Sequence, residues 1–253
     1  MIGGCAAAPP RSIIMPHVRA HLSADAPLTA DLWAGATFTE PFGRPLADDR
    51  AAPLPPGDWS TRAKFTWDAE HLYVMIESIG PRPTSPFTQH DELLHEADVA
   101  EVFLDPVGDR RHIFEFQVSP SNVTCDYHHT WDEPATYPAD RIDFPFSKAH
   151  HRFDRDWNLQ DWRTTSTVTD RPDGDTTWTV MMAIPLRPLL AMAGRDAPLA
   201  AGQSVYVNAL RYARPLRDDG KRVLEQYNLV PVRTGCPHHS PMAVVRLIAA
   251  KAE

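Results

Sequence analysis

Hydrophobic and polar residues alternate over Val99–Leu104 and again over Ile113–Val118. This period of two is typical of β-strands, because successive side chains point to opposite faces. The stretch between them, Asp105–Asp109, contains Pro and Gly and has the composition of a turn. The sequence therefore predicts an antiparallel hairpin with two different faces. One face is apolar and carries Ala100, Val102, Leu104, Phe114, Phe116 and Val118; the other carries the polar residues Glu101, Glu115 and Gln117.

The polar residues of this hairpin allow two interpretations. On an ordinary solvated sheet they would face water, where Lys and Thr serve equally well. A sheet that binds a sugar needs carboxylate and amide groups on a rigid surface, and Glu101 and Gln117 supply one of each. The alternation by itself favours the solvated face, because a pattern of strands does not specify a function.

Similar alternation predicts further strands along the chain. Pro185 ends one of them, and Leu186–Ala193 has the pattern of one or two helical turns. Residues 119–163 show no sustained period, although they are rich in aromatic residues. The other predicted strands lie in Ala63–Trp67, Leu72–Ile76, Thr164–Thr169, Trp178–Ile184, Val205–Arg211, Leu224–Val230 and Met242–Ile248.

These eight or nine short strands, with long loops and at most one short helix, predict an all-β fold: a single antiparallel β-sandwich of two packed sheets. The composition agrees, since 43% of the 253 residues are hydrophobic and the 25 prolines fall mostly in clusters. Such clusters favour ordered loops and disfavour a helical bundle. We expect a flexible N-terminal tail over residues 1–20 and one sandwich domain over residues 21–253.

The charge of the chain limits its partners. With 33 acidic and 25 basic residues the net charge is −8, so a phosphate backbone or an anionic membrane surface would be repelled. Nucleic acid is therefore not an expected partner. No apolar run approaches the ~20 residues that span a bilayer.

The first residues resemble the end of a bacterial lipoprotein signal, because a pair of small residues precedes Cys5 and a small, Pro-rich segment follows it. The charged and apolar segments that normally come first are missing from this sequence, so either the natural chain begins further upstream or the match is due to chance. On this basis we expect an exported protein that is periplasmic, secreted or lipid-anchored at Cys5. The odd number of cysteines fits one anchor plus a Cys125–Cys236 disulfide, or three free thiols.

Histidine doublets at 128–129, 150–151 and 238–239 suggest a metal site. Adjacent histidines in a strand point to opposite faces, however, so each doublet offers at most one good ligand. No His-x-His or Cys-x-x-Cys spacing supports a transition-metal site.

An enzyme is the least favoured functional class. Glu101 could pair with Glu115 or Asp98 as the carboxylates of glycosidases do, but the sequence does not fix their separation. No nucleophile elbow, phosphate-binding glycine loop or dinucleotide fingerprint is present.

The order of the motifs resembles the family 9 carbohydrate-binding modules and the wider group of DOMON-type β-sandwiches. The similar segments cover nearly all of residues 22–249. In chain order they are Trp33 with Phe38, Ala63–Val74, Asp98–Asp109, Phe114–Ser119, Trp178–Leu186, Asn208–Arg211 and His238–Leu247. The resemblance implies a β-sandwich that binds carbohydrate without catalysis, as a monomer, with a role in polysaccharide utilisation.

The resemblance also implies a set of site residues. In family 9 modules two aromatic rings enclose a terminal sugar and an acid binds its hydroxyl groups; Glu101 matches that acid, and Gln117 the assisting residue on the next strand. His95 and the doublet His238–His239 stand where these modules have stacking tryptophans, so this chain departs from the pattern. Trp131 and Trp157 could supply the stacking surface instead. The ligand-binding residues predicted in this way are Glu101, Gln117, His95, Asp98, Trp131, Asn208, Arg211, His238 and His239.

DOMON-type relatives also bind haem between Met or His and a second ligand, which leaves a redox domain as the alternative function. Met75, Met181, Met182, His95 and His239 could serve as ligands. Met75 and Met182, however, lie in predicted strands where core packing is the simpler role, and no haem attachment motif is present. Structural calcium is a further implication of the resemblance, although no run resembles a dedicated calcium loop.

Overall fold

The computed structural model describes residues 12–18, 28–43, 59–132, 151–214, 220, 222, 224–230 and 242–249. In these residues the chain forms twelve strands and one α-helix, together with 3-10 turns at Ala30–Trp33 and Leu94–Glu96. The strands are β1 Ser12–Pro16, β2 Ser60–Trp67, β3 His71–Gly80, β4 Val99–Asp105, β5 His112–Val118, β6 Thr124–Trp131, β7 His151–Asp154, β8 Arg163–Asp170, β9 Thr176–Pro185, β10 Ser204–Ala213, β11 Glu225–Asn228 and β12 Ala243–Ile248; the helix is α1 Leu186–Met192.

The strands form two sheets that pack face to face. The larger sheet has the order β1-β12-β10-β4-β5-β6-β7, with β11 also paired to β10, and the smaller sheet has the order β2-β3-β9-β8. The pairing of β1 with β12 is parallel, and the central hairpin β4–β5 is antiparallel, as predicted. The predicted all-β sandwich is confirmed.

The space between the sheets is filled by the alternating residues that the sequence predicts for it. The predicted apolar face of the β4–β5 hairpin lies entirely in this core, opposite Val74, Trp178 and Met182 of the smaller sheet. Burying one such side chain contributes about 1.5–3 kcal/mol, so this layer is the main source of stability. Gly108 lies in the hairpin turn at φ +75°, where a Cβ would overlap the ring of Tyr206.

Helix α1 begins directly after Pro185, as predicted, and buries Leu186, Leu189 and Leu190. On the outer face of the smaller sheet, Leu32 and Trp33 cover Tyr73. The hydroxyl group of Tyr73 donates a hydrogen bond of 2.7 Å to Asp68. Burial raises the pKa of the Asp68 carboxyl, but bonds from His71, Tyr73 and neighbouring backbone N–H groups outweigh it and lower the pKa to about 2.

Strand β6 lies in the stretch 119–163, for which the sequence predicts no sustained period. Its core-facing side carries the polar residues Asp126 and His128, which are paired with Phe116 and Phe114 of β5. The His128 ring stacks on Phe114 with centroids 4.6 Å apart, and burial lowers its pKa to about 4, so the ring is neutral. Because these core-facing positions carry polar residues, β6 lacks the usual polar and apolar alternation.

Strand β1 lies within residues 1–20, for which the sequence predicts a tail. Ser12–Pro16 pair with β12, and Met15 is buried in the core. This part of the segment therefore belongs to the sandwich.

Candidate functional site

The predicted polar face of the central hairpin forms the outer face of the larger sheet. Glu101 is directly opposite Gln117, and Gln117 is opposite Cys125 of β6. Glu115 lies two residues from Gln117 on the same side. Side chains that are directly opposite in a sheet have Cβ atoms about 4.5–5.5 Å apart, so Glu101, Gln117 and Glu115 are neighbours, as the sequence predicts.

This face is buried, and the interpretation as an ordinary solvated sheet face is therefore wrong. Glu101 and Gln117 are each 1% exposed, and Glu115 is 6% exposed. Apolar residues share the face, since Phe103, Ile113 and Leu210 form a buried cluster there. The polar groups thus occupy an environment in which each missing hydrogen bond is costly.

Four neighbouring residues form a row on this face, which we call the polar row: Glu101, Gln117, Glu115 and His129. Hydrogen bonds join the last three, and Glu101 lies directly opposite Gln117. The amide nitrogen of Gln117 donates to Oε1 of Glu115 at 2.5 Å. Oε2 of Glu115 is 2.8 Å from Nε2 of His129, and Nδ1 of His129 is 3.0 Å from Nε2 of His151. A consistent arrangement has His129 donating to the Glu115 carboxylate and accepting from His151.

At the Glu101 end of the polar row, two acceptor oxygen atoms have no hydrogen-bond partner among the described residues. Within the described part of the chain, Oε1 of Glu101 and Oε1 of Gln117 are buried and have no hydrogen-bond partner. Burial raises the pKa of Glu101 well above its usual value, and the nearby charge of Glu115 raises it further. An unsatisfied buried polar atom costs about 1–3 kcal/mol, so a donor that reached these two oxygen atoms would stabilise this face.

Aromatic rings gather near the other end of the row. Trp131 stacks on His151 with centroids 4.6 Å apart, and His129 stacks on Phe153 at 4.7 Å. Trp131 is six residues beyond Cys125, which is about 20 Å along the strand. The structure therefore places Trp131 on the same face as Glu101 but not beside it.

His129, His151 and Phe153 belong to this face and are not among the predicted ligand-binding residues. The sequence pattern suggests the doublet His128–His129 only as a source of metal ligands. Its two rings do point to opposite faces, as the strand geometry predicts.

Two predicted site residues lie on the other side of the larger sheet. Arg211 is opposite the core-facing Ala100, and its guanidinium carbon is 5.7 Å from the ring centroid of Trp178. Asp98 accepts hydrogen bonds from the backbone N–H of Thr84 at 2.9 Å and of Arg214 at 3.2 Å. Asp98 and Arg211 both line a separate pocket of about 310 Å³. They do not share a surface with Glu101.

Asn208 does lie on the Glu101 face, opposite Phe103, but its side chain already has partners. Its amide nitrogen donates to the carbonyl of Val230 at 3.2 Å, and its oxygen accepts from the Val230 N–H at 3.0 Å. Asn208 therefore holds the segment after β11 against β10.

The remaining predicted residues are less informative. His95 is half-buried in the 3-10 turn before β4, and its carbonyl accepts from Nη2 of Arg214 at 2.8 Å. Trp157 packs against Phe114 on the core side, with centroids 5.3 Å apart, and so does not line the face of Glu101. His238 and His239 lie outside the described residues, as do Cys5 and Cys236. Cys125 is a buried free thiol.

The structure also shows where several of the residues considered as haem ligands lie. Met182 lies in the core, and Met75 and Met181 pack around Tyr73 on the outer face of the smaller sheet. His95 precedes β4 of the larger sheet, so this placement does not favour a Met–His pair around a haem.

Among the residues that the structure describes, His90, Asp91 and Asp126 are the one group of three or more potential metal ligands that converge. This set includes an imidazole nitrogen, whereas Ca²⁺ takes oxygen ligands in proteins, so the set does not fit the calcium that the resemblance implies.

Comparisons with solved structures find similar folds over nearly the whole chain. A protein of Bacteroides uniformis to which carbohydrate binding has been ascribed matches with a TM-score of 0.65 and 12% identity, over 94% of this chain and 100% of that chain. A family 9 carbohydrate-binding module of Caldicellulosiruptor kristjanssonii in complex with cellotriose matches with a TM-score of 0.57 and 15% identity, over 96% of each chain.

The same kind of module from Caldicellulosiruptor kristjanssonii in complex with glucose matches with a TM-score of 0.56 and 15% identity, over 96% of this chain and 98% of that chain. No family model matches the sequence, and no curated protein matches it either. At these identities the likeness concerns the fold. The resemblance predicted from the motifs is confirmed at that level: the chain has the β-sandwich fold of the family 9 carbohydrate-binding modules.

Proposed function

We propose that the protein binds carbohydrate, without catalysis, on the outer face of the larger sheet. The observation that carries this proposal is the pair of buried, unpartnered oxygen atoms on Glu101 and Gln117. Sugar hydroxyl groups are donors and match two such acceptors. The similar folds solved with cellotriose and with glucose support this choice of ligand class.

The residues of the face have different roles in this proposal. Glu101 is the principal hydroxyl acceptor, because a hydrogen bond to a carboxylate contributes about 1.5–3 kcal/mol. The carbonyl oxygen of Gln117 accepts a second hydroxyl, and its bond to Glu115 fixes the orientation of the amide. Trp131 and His151 offer stacked rings at the other end, where the apolar side of a further sugar unit can pack.

A ligand reaches Glu101 only if the groups that cover it move, because the residue is 1% exposed. Association that requires such a change is slower than the usual 10⁵–10⁷ M⁻¹s⁻¹ of rigid partners. The proposal therefore includes an opening of this face before or during binding.

We also propose that the protein is exported, because a pair of small residues precedes Cys5 as in a lipoprotein signal, and that Cys5 is the site of lipid attachment. Among the described residues no helix has both the length and the apolar character needed to cross a membrane.

A glycan array with the purified protein, followed by titration calorimetry on the best ligand, tests the proposal. We expect saturable binding of a neutral glycan with a stoichiometry of one per chain. If neither the array nor calorimetry detects binding of a glycan at millimolar concentration, the proposal is wrong.

A further inference from the structure

We propose that His90, Asp91, Asp126 and Asn158 form a binding site for a divalent transition-metal ion such as Zn²⁺. These residues lie on three separate segments: the loop before β4, the first half of β6, and the connection between β7 and β8. The site is distinct from the polar row, because Asp126 points to the opposite side of β6.

The distances from Nε2 of His90 to the two carboxyl groups fit a bound ion, whereas its contact with Asn158 is shorter than the spacing of two ligands and would lengthen when an ion binds. Nε2 of His90 is 3.2 Å from Oδ1 of Asp91 and 3.6 Å from Oδ1 of Asp126, and it also contacts Oδ1 of Asn158. In a tetrahedral site with bonds of about 2.1 Å, ligand atoms are about 3.4 Å apart. The three side chains of His90, Asp91 and Asp126 offer atoms that all lie within 4.8 Å of one another.

The orientation of His90 is that of a metal ligand. Its Nδ1 is 2.8 Å from the backbone carbonyl oxygen of Thr124 and 3.0 Å from the Thr124 hydroxyl. A carbonyl oxygen only accepts, so Nδ1 donates to Thr124, and Nε2 is the ring nitrogen that faces the oxygen atoms of Asp91, Asp126 and Asn158 and would bind the ion. Histidines that bind metals almost always donate their second N–H in this way.

The two carboxyl groups supply unused ligand atoms. Asp126 is fully buried; its Oδ2 accepts from the Leu159 N–H at 2.6 Å. Its Oδ1, like Oδ1 of Asp91, is buried and accepts no hydrogen bond from any described residue. A cation between the carboxyl groups would offset the cost of keeping them buried and ionised.

The ligand set indicates the class of metal. One imidazole nitrogen with two carboxylate oxygens suits Zn²⁺ and similar ions, whereas Ca²⁺ and Mg²⁺ take oxygen ligands. The amide oxygen of Asn158 or a water molecule can complete the coordination. The His90 side chain is 43% exposed, so an ion can enter from solvent. Once bound, the ion would join the three segments and stabilise the first half of β6.

Calorimetric titration of metal-free protein with Zn²⁺, Ca²⁺ and Mg²⁺ tests this site. We expect one equivalent of Zn²⁺ to bind at least a hundredfold more tightly than Ca²⁺ or Mg²⁺. At a hundredfold excess of Zn²⁺ over its Kd the melting temperature should rise by about 5 °C or more. No binding of Zn²⁺ by the wild-type protein would overturn the proposal.

Variants distinguish this site from other histidines. His90→Gln and Asp91→Asn change partly exposed residues and should each weaken Zn²⁺ binding tenfold or more without unfolding the protein; Asp126→Asn keeps the shape of the buried residue and should act likewise. The control is His112→Gln, since His112 bonds to Asp109 at 2.9 Å outside the cluster. Zn²⁺ binding that survives His90→Gln, or is lost in His112→Gln, would show that the ion binds elsewhere. An ordinary ion pair with protonated His90 predicts a melting temperature that does not respond to Zn²⁺.

Discussion

Replacing Glu101 by Gln keeps the shape of the side chain and removes its charge. In the wild-type protein Glu101 lies beside Gln117 in the sheet, and its Oε1 has no partner among the described residues. In the proposed complex that carboxylate accepts two sugar hydroxyls. The substitution replaces one oxygen by an amide group, which donates, so one of the two bonds is lost and the other becomes a neutral bond.

The size of the effect follows from these bonds. A bond to a charged group contributes about 1.5–3 kcal/mol and a neutral one about 0.5–1.5 kcal/mol. Weakening one bond and losing the other therefore costs at least ~2 kcal/mol. Since every 1.4 kcal/mol changes Kd tenfold, we expect Kd to rise about thirtyfold.

Titration calorimetry with the best glycan from the array measures this change, and differential scanning calorimetry measures the melting temperature. We expect the melting temperature of Glu101→Gln to be unchanged or higher. Glu40→Gln, at an exposed acid outside the polar row, is the matched control and should bind as the wild type does. If Glu101→Gln also binds with wild-type affinity, the polar row is not the site, and the search moves to the residues between Tyr127 and Trp162.

Three further predictions concern pH, stacking and stability. The proposed ligand binds the ionised form of Glu101, whose pKa is raised by burial and by Glu115. Affinity should therefore increase as the pH rises through that pKa, and the Glu101→Gln variant should not show this dependence. An affinity that increases on acidification would contradict this role. Trp131→Ala should weaken binding about tenfold while Trp131→Phe retains most of it, and equal affinities of both variants in calorimetry would exclude stacking at this position. The Asp68 pKa of about 2 lies below its unfolded value of 3.8, so the carboxylate stabilises the fold above pH ~4 and loses this effect toward pH 2. Asp68→Asn should therefore cost about 2 kcal/mol of unfolding free energy at pH 7 and little at pH 2, and a cost that is the same at both values in urea denaturation would refute the assignment.

Most of the strands that the sequence predicts correctly have an apolar side that faces the core. In the β4–β5 hairpin the alternation and the turn together determine the partners, so the sequence alone suffices to pair the neighbours Glu101 and Gln117. Strand β6 is not predicted from the sequence, because two of its core-facing residues, Asp126 and His128, are polar. Their burial depends on contacts with β5 and with Leu159, which are distant in sequence, and no local pattern records such contacts.

The site could be predicted in part for the same reason. The alternation already groups Arg211 with Val205, Val207 and Ala209, which face the core. The resemblance to family 9 modules implies a ligand-binding role for Arg211. The strand geometry instead puts Arg211 on the side of the sheet opposite Glu101. The burial of Glu101 was not predictable, since it depends on what covers the face and not on the strand that carries the residue. The sequence likewise does not predict that His90 and Asp126 lie close together, because 35 residues lie between them in the chain.

The stability of the unliganded protein gives an independent argument about the polar row. Two neighbouring carboxyl groups on a buried face repel each other, and desolvation adds to the cost, which is why the pKa of Glu101 is raised. Replacing buried charged groups by neutral ones of similar volume is often neutral or stabilising. If Glu101 served only to support the fold, Glu101→Gln would lower the melting temperature and leave binding intact. If it serves the ligand, the same substitution raises or preserves the melting temperature and weakens binding. The two roles therefore predict different results in both measurements, and together these results separate a binding residue from a structural one.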